Sequence, residues 1–305
     1  AVSDVVVENN VPETIERAGI TYEELREANP RIIMLRMPAY GLSGPYRNYR
    51  SFGNHMEAMT GHHYLRMYPD MEPAAAGNSF TADAVGGVHG ALAVLMALRY
   101  RRLTGNGQQI ELPLAENFLP YLGEYVLEYT VNGRDPEPQG NAHPYRAPRG
   151  VYPCRGEDRW IAIDIISDDE WRAFASECGE AWAGDERFAR NAGRLAHRDE
   201  IDGLIAAWTR GHEAPELFRR LQTAGVTAGP VQDEAAAYAC EHLRDRGFFE
   251  PLTHPDCGTH EYPGLNFRMA NTPNRLRRHP VTLGEDNEYV YREILRLTED
   301  EYRFL

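Results

Sequence analysis

One acidic residue has surroundings that favour covalent chemistry. Asp83 stands in the run TADAVGG, among small residues and directly before an apolar helical pattern. A carboxylate at this place can be an ordinary helix N-cap, a position that favours Asp. It can also be a nucleophile, because small neighbours leave room for a large substrate. The residues alone leave both interpretations open.

The other candidate groups point away from metal chemistry. His55, His62 and His63 lack the i, i+4 spacing of a helical metal motif, so we predict no metal site there. The cysteines form no CxxC pair, which is typical of ordinary thiols in a reducing cytosol. They are Cys154, Cys178, Cys240 and Cys257.

Alternating strand and helix patterns predict the elements that must position Asp83. The valine-rich run Asp4–Val7 and the run Arg31–Met37 predict strands. Between them, Pro12 opens one short helix and Thr21–Asn29 carries the capping signature of another. This order favours an α/β sheet covered on both faces.

The remaining patterns predict a second, smaller module. After Asp83, an apolar stripe typical of an amphipathic helix is formed by Val85, Val88, Leu92, Leu95 and Met96. A Pro- and Gly-rich stretch, residues 132–153, then separates it from the second module. The sequence predicts further helices over Gly53–Thr60, Ala115–Thr130, Arg198–Trp208 and Ala214–Thr223, a strand QQIEL, a strand WIAIDI and a helix capped near Ser167.

Composition narrows the range of partners. The 305 residues carry a net charge of −14, and 42% of them are hydrophobic, as in a globular protein. A negative field disfavours nucleic acid and anionic membrane. No apolar run approaches the length of a membrane span and no secretion leader is present, so we predict a cytoplasmic protein without membrane contact.

Four stretches in order resemble the class III CoA-transferases, also called the CaiB/BaiF family, which includes formyl-CoA:oxalate and carnitine CoA-transferases. They are DVVVENNVPETIERAGITYEELREANPRII, MPAYGLSGPY, TADAVGGVHGALAVLMALRYRRLTGNGQQIEL and HPVTLGEDNEYVYREILRLTEDE. Together they cover nearly the whole chain. The family normally has a further segment before DVVVEN, so the resemblance also implies that this N-terminal segment is missing here.

The resemblance implies an α/β fold with a Rossmann-like large domain, an inserted smaller α+β domain and an interlocked homodimer. The large domain would comprise residues 1–148 and 234–305, and the small domain residues 149–233. The implied activity is transfer of CoA from an acyl-CoA to a free carboxylic acid, with CoA as carrier and no permanently bound cofactor. Asp83 would be the covalent catalyst, forming an aspartyl-CoA thioester.

A helix that begins near Asp83 would keep its carboxylate ionised, and Gly86 and Gly87 would expose N–H groups to stabilise tetrahedral intermediates. The resemblance also implies contacts with CoA. Asn9 and Arg17 match positions that bind its nucleotide portion, and their neighbours Asn10, Val11 and Ala18 would add backbone contacts.

The segment Tyr40–Gly41 matches the part of the family that lies near the pantetheine arm. Pro38 stands where the formyl-CoA enzyme has a lysine, so that contact does not transfer. An apolar or aromatic acid substrate is suggested, with core packing as the alternative, by Tyr40, Tyr46, Tyr49, Met56 and Met59. His143 and Tyr145 lie in a loop that can approach the active site in the family.

Two other functions remain open at this stage. A racemase of the same superfamily pairs an aspartate with a histidine, but Phe52 occupies the histidine position and His55 lies three residues further on. A non-catalytic CoA-binding subunit would bind ligand without turnover. Dependence on an acceptor acid distinguishes the transferase from both alternatives.

Overall fold

The computed structural model describes residues 2–304, which divide into two compact units at the Gly150–Val151 bond. The first unit contains Asp83 and all the residues expected to bind CoA. The predicted return of residues 234–305 to the first domain stays a prediction.

A parallel three-stranded sheet forms the centre of the first unit, in the order β1-β2-β3. Its strands are β1 (Val5–Glu8), β2 (Ile33–Arg36) and β3 (Gln108–Glu111). Val5 pairs with Ile33, and Ile33 pairs with Gln108. The middle strand is buried along its whole length, as expected for a parallel sheet with helices over it. The α/β class predicted from the sequence is confirmed.

Two short helices, α1 (Pro12–Arg17) and α2 (Tyr22–Ala28), connect β1 to β2. Proline at the first position begins α1, where its missing N–H costs no hydrogen bond. The α2 helix has the predicted capping box, in which Thr21 and Glu24 each bond to the other's backbone N–H. Local sequence therefore determines this crossover.

Three helices lie between β2 and β3: α3 (Gly53–Met59), α4 (His62–Leu65) and the 24-residue α5 (Thr81–Thr104). The face of α5 that packs into the unit consists of small residues, Ala82, Gly86, Gly90 and Ala97. A Cβ added at Gly86 would lie 2.3 Å from Leu114 Cδ2. The glycines thus let α5 approach its neighbours closely.

Most of the apolar stripe predicted for α5 lies outside the buried face of the helix. Val88, Leu92, Leu95 and Met96 are each more than half exposed within this chain. The sequence analysis predicted no segment of membrane-spanning length, but α5 is long and apolar enough to cross a membrane by length and composition alone. Core helices of soluble proteins can have the same length and composition. The small-residue face of α5 packs against β2 and α6 (Leu114–Phe118), so the helix is part of the first unit.

The long helix predicted over Ala115–Thr130 is interrupted. The α6 helix continues as a 3₁₀ turn, Leu119–Leu122, before α7 (Gly123–Asn132) begins. Pro120 lies in the turn, where its missing N–H is tolerated.

A second three-stranded sheet has the order β4-β5-β6. The second unit contains most of β4 (Arg149–Pro153) and all of β5 (Trp160–Asp164) and β6 (Ala228–Val231). Strands β5 and β6 pair antiparallel. Buried aromatic residues, including Trp171, Phe174 and Phe188, form its core. The helices of this part are α8 (Asp168–Cys178), α9 (Asn191–Ala196), α10 (Arg198–Thr209) and α11 (Ala214–Thr223).

The last part of the chain contains an antiparallel hairpin and short helices. The hairpin comprises β7 (Phe249–His254) and β8 (Gly258–Pro263). The helices are α12 (Glu234–Tyr238), α13 (Glu241–Asp245), a π-helix (Tyr289–Ile294) and α14 (Glu299–Phe304).

Candidate active site

Asp83 lies in the first turn of α5 but does not cap it. The N-cap position belongs to Phe80, so Asp83 is the third residue of the helix. Its carboxylate has no hydrogen-bond or ion-pair partner among residues 2–304. The ordinary N-cap interpretation of Asp83 is therefore wrong, and the carboxylate is available for other contacts.

Gly53, the first residue of α3, lies directly against this carboxylate. A Cβ added to Gly53 would lie 2.1 Å from Asp83 Oδ2 and 3.2 Å from Phe80 Cδ1. Every other amino acid at this position would displace the carboxylate or the aromatic ring. No local sequence pattern predicts this contact, because the two residues are 30 positions apart.

Glu57 performs the capping that Phe80 cannot. Its buried carboxylate accepts the N–H groups of Thr81 (2.5 Å) and Ala82 (3.3 Å), the first two residues of α5. It also accepts the hydroxyl of Ser79 at 2.7 Å. Two of the donors that a helix N-terminus leaves unpaired are thus satisfied by a carboxylate from α3.

The two neighbouring carboxylates have pKa values shifted in opposite directions. Partial burial, and then the charge of Glu57, raise the pKa of Asp83. Burial also acts to raise the pKa of Glu57, but hydrogen bonds from Ser79, Ala82 and Thr81 and the proximity of His62 outweigh it, and the net shift is downward. The surroundings of Glu57 thus favour its charged form, whereas those of Asp83 favour its neutral form.

The expected role of the glycines after Asp83 needs correction. Because α5 begins at Thr81, Gly86 and Gly87 lie beyond its first turn, where backbone N–H groups bond to carbonyls of the preceding turn. Gly86 is instead needed for packing against Leu114. The helix N-terminus favours an ionised Asp83, whereas burial and the charge of Glu57 raise the pKa of this carboxyl.

The backbone before Asp83 is in an unusual conformation. Phe80 has φ +51°, in the left-handed region that non-glycine residues rarely adopt. Such conformations persist where the surrounding structure imposes them, and they concentrate at functional sites. Here the turn presents the Phe80 ring, which is half exposed, beside Gly53.

An exposed aromatic residue adjoins the candidate site. Phe52 precedes Gly53, is 76% exposed and has its ring 6.2 Å from that of His55. Phe52 carries no proton to transfer, and His55 Nδ1 accepts the N–H of Phe52. Phe52 therefore cannot act as the histidine of the racemase type, and one ring nitrogen of His55 is engaged by the backbone.

The residues expected to bind the CoA nucleotide lie at the carboxyl end of β1. Asn9 and Asn10 follow the strand directly and are exposed, and Val11 is the N-cap of α1. Arg17 ends α1 with a largely exposed side chain, which donates a 3.4 Å hydrogen bond to the Glu13 carbonyl and lies 3.7 Å from the Glu13 carboxylate. These positions suit a ligand outside the carboxyl edge of the sheet.

A buried ion pair that the sequence analysis missed joins this region to β2. Arg36 Nε lies 2.7 Å from Glu8 Oε1, both side chains are 6% exposed, and the other Glu8 oxygen accepts the N–H of Asn10. The pair fixes the backbone at the start of the Asn10 loop. A charged residue at the end of each apolar strand was the signal that could have found it.

Tyr40 and Gly41 follow β2, at the same edge of the sheet. Gly41 has φ +91°, and a Cβ there would lie 3.1 Å from Glu111 Oε1. The Tyr40 hydroxyl donates to Ser51 Oγ at 3.2 Å, and Ser51 lies two residues before Gly53. The segment Ser51–Gly53 thus links the expected pantetheine segment to Asp83. Met56, considered above as a residue near the acid substrate, belongs to the buried core.

The neighbouring histidines have other partners. His62 Nδ1 is 3.5 Å from Glu57, and His63 Nε2 bonds to the Pro73 carbonyl. In residues 2–304, no group of three or more His, Cys, Asp or Glu side chains is arranged to hold a metal ion.

The profile of CoA-transferase family III matches residues 1–287. The chain belongs to this family. This family III CoA-transferase is 32% identical over 303 residues to succinyl-CoA–D-citramalate CoA-transferase of Chloroflexus aurantiacus, covering 99% of this chain and 75% of the relative. It is 30% identical over 302 residues to the beta subunit of succinyl-CoA–L-malate CoA-transferase of the same organism, covering 98% and 74% of the two chains.

A solved structure supports the same assignment for the fold. The crystal structure of a CaiB/BaiF family protein from Brucella suis matches this family III CoA-transferase with a TM-score of 0.84 at 27% identity. The match covers 96% of this chain and 75% of that one. The resemblance predicted from four sequence stretches is confirmed at the level of family and enzyme class.

Proposed function

We propose that this protein is an acyl-CoA:carboxylate CoA-transferase that acts through a covalent aspartyl-CoA thioester at Asp83. The observation that carries the proposal is the state of the Asp83 carboxylate. It lacks a hydrogen-bonding partner among the described residues, has a raised pKa and faces a glycine. A carboxylate whose lone pairs are not engaged is available to attack a carbonyl.

The proposed reaction needs only the acyl-CoA, the acceptor acid and the Asp83 carboxylate. An Asp83 oxygen attacks the donor thioester carbonyl, the C–S bond breaks, and an acyl-aspartyl anhydride and CoA thiolate form. The thiolate attacks the aspartyl carbonyl and releases the donor acid, leaving aspartyl-CoA. The acceptor carboxylate then attacks this thioester, and the expelled thiolate attacks the acceptor carbonyl of the new anhydride, which frees Asp83.

The names of the two relatives suggest the class of acids. Both transfer CoA from succinyl-CoA, and citramalate and malate are both hydroxy-dicarboxylic acids. We propose a dicarboxylyl-CoA donor and a dicarboxylic acceptor. The exposed aromatic residues Phe52 and Phe80 keep an aromatic acid as the alternative to be tested.

Intact-mass spectrometry after brief incubation with succinyl-CoA and with an aromatic acyl-CoA tests the proposal. A CoA-sized, hydroxylamine-sensitive adduct should form on the wild type and be lost in Asp83→Ala. The matched control is Asp199→Ala, which removes another exposed acid from the first turn of a helix, α10. A protein that binds CoA without forming an adduct would contradict the covalent mechanism and favour a binding subunit.

We also propose that the exposed face of α5 is covered by a second copy of this chain. The apolar residues Val88, Leu92, Leu95 and Met96 recur at helical spacing, and burying them in an interface would stabilise it. Light scattering should give a dimer for the wild type and a monomer for Leu95→Glu. A monomeric wild type, or one that floats with lipid vesicles through this face, would contradict the proposal.

A further inference from the structure

Glu57 has a place in the structure that the reaction steps above do not use. Its side chain is 1% exposed, although an acid is rarely buried so completely without a reason. The carboxylate holds the N–H groups of Thr81 and Ala82, the two residues directly before Asp83. Any shift of Glu57 therefore shifts the turn that carries Asp83.

The same helix contacts Asp83 directly. Gly53 and Glu57 are four residues apart on α3, and residues at this spacing lie on one face of a helix. Gly53 lies against the Asp83 carboxylate, while Glu57 holds the backbone before it. One face of α3 thus determines both the space around the carboxylate and its orientation.

Glu57 raises the pKa of Asp83 although other titratable and charged groups also face Glu57. The titratable and charged groups that face Glu57 are His62 of α4 (3.5 Å), Arg66 directly after α4 (3.6 Å) and Asp83 of α5. Burial lowers the pKa of His62, so its ring is neutral near pH 7. Arg66 also donates to Ser79 and Gly77, and it lies at the side of Glu57 that binds Ser79.

We propose that Glu57 is a positioning residue for Asp83, which holds the first turn of α5 through its hydrogen bonds and favours acylation through its negative charge. This inference rests on the proposed function. When the Asp83 oxygen bonds to the acyl carbon and the C–S bond breaks, the negative charge leaves with the CoA thiolate. Repulsion between the two carboxylates is thereby relieved as the covalent intermediate forms.

Three variants separate the two effects. Glu57→Gln keeps an oxygen that accepts the Thr81 and Ala82 N–H groups but removes the charge. Glu57→Ala removes both. Glu170→Gln is the matched control, because Glu170 is also buried and accepts two backbone N–H groups, from Thr227 (2.5 Å) and Ile166 (2.8 Å), in the second unit.

For Glu57→Gln, we expect the Asp83 carboxyl carbon to titrate at lower pH in an NMR titration. The acid limb of the acylation rate should move in the same direction, and the plateau rate should fall about tenfold, the change that 1.4 kcal/mol produces. For Glu57→Ala, hydrogen exchange at Thr81 and Ala82 should also accelerate. Glu170→Gln should change none of these quantities.

The measurements distinguish failure of this inference from failure of the proposed function. The NMR titration and the hydrogen exchange need no turnover, so they test the role of Glu57 even if no acyl-CoA reacts. An unchanged Asp83 titration in Glu57→Gln would overturn the role of the charge. Unchanged exchange at Thr81 and Ala82 in Glu57→Ala would overturn the role of the hydrogen bonds. Loss of the adduct in every protein, the wild type included, would instead reject the transferase mechanism.

Discussion

Two helices of this protein carry an aspartate in the first turn, and the surroundings of the two aspartates differ. In α5 the first turn contains Asp83, and in α8 it contains Asp168. A buried glutamate accepts two backbone N–H groups at each place, Glu57 beside α5 and Glu170 within α8. The informative difference between the two helix starts is therefore the set of side chains around each aspartate.

At the start of α8, both the helix cap and the aspartate side chain have hydrogen-bonding partners. Ser167 caps the helix in the ordinary way by accepting the N–H of Glu170. Asp168 accepts hydrogen bonds from Arg194 (3.0 Å) and from the N–H of Asn191 (2.9 Å). Burial acts to raise the pKa of Asp168, but these bonds and a third from Arg190 hold it below its usual range.

The start of α5 is satisfied by a carboxylate from another helix. This arrangement leaves Asp83 without a hydrogen-bonding partner in the described chain and next to a like charge. An aspartate whose oxygens are engaged stabilises the fold, whereas one whose oxygens are free and whose pKa is raised is suited to react. The same residue type in the first turn of a helix thus has different surroundings in α5 and α8.

Exchanging each aspartate for its amide should give the largest contrast. Asp83→Asn should lower the rate of adduct formation at least about 10³-fold, as expected for loss of a nucleophile. Asp168→Asn should leave that rate unchanged but lower the free energy of unfolding by about 2 kcal/mol, through weaker bonds to a buried arginine. Denaturant titration and adduct kinetics on both variants measure this, and equal activities would contradict the comparison.

A methyl group at Gly53 should have the next largest effect. Gly53→Ala would place a Cβ 2.1 Å from Asp83 Oδ2, so the carboxylate must move. A displacement of about 1 Å can cost about 100-fold in rate. Gly203→Ala in α10 is the control, because a Cβ there meets nothing within 4 Å and should only stabilise the helix. If adduct formation is as fast in Gly53→Ala as in the control, this contact has no role.

Lowering the pH should separate the two aspartates. The pKa of Asp83 is raised, so the reactive carboxylate is lost first, about tenfold per pH unit below that pKa. The pKa of Asp168 is lowered, so its stabilising contribution is complete above its unfolded-state pKa and disappears only as the pH falls through its folded-state pKa. Acylation should therefore decline at a pH where the second unit remains folded. Simultaneous loss of both would contradict the opposite shifts.

The smallest effect concerns the backbone before Asp83. Phe80→Gly should relieve the positive φ and raise the free energy of unfolding by up to about 1 kcal/mol. It should also slow acylation a few-fold, because the turn loses a constraint. Arg296→Gly relieves a similar conformation, φ +57°, in the second unit and should not affect the rate. Thermal unfolding and adduct kinetics of the two variants test this.

The comparison also explains which features could be predicted from the sequence. The capping box at Thr21 and the cap at Ser167 lie next to the helices that they begin, so local pattern predicted both. The cap of α5 could not be predicted, because Glu57 lies 24 residues before Thr81 in the chain. The buried face of α5 was also missed, since analysis of periodicity gives weight to large apolar side chains and this face packs through Gly86 and Gly90.

Only part of the candidate site could be predicted from the sequence. Asp83 was recognised as a candidate because a family resemblance covered the residues around it. The contact with Gly53 and the ion pair between Glu8 and Arg36 depend on which elements meet in space, which no local pattern shows. The sequence thus suggested the candidate nucleophile, and the structure showed which residues surround it.

Because the N-terminus of α5 is capped by a residue of another helix, its first turn depends on contacts distant in sequence. The helix α8 carries its own start signal, whereas the first turn of α5 depends on the docking of α3. Separation of α3 from α5 would release the Asp83 turn while both units keep their sheets. On heating, inactivation should therefore precede global melting, as expected for a reactive site placed in one of the less stable parts of a fold.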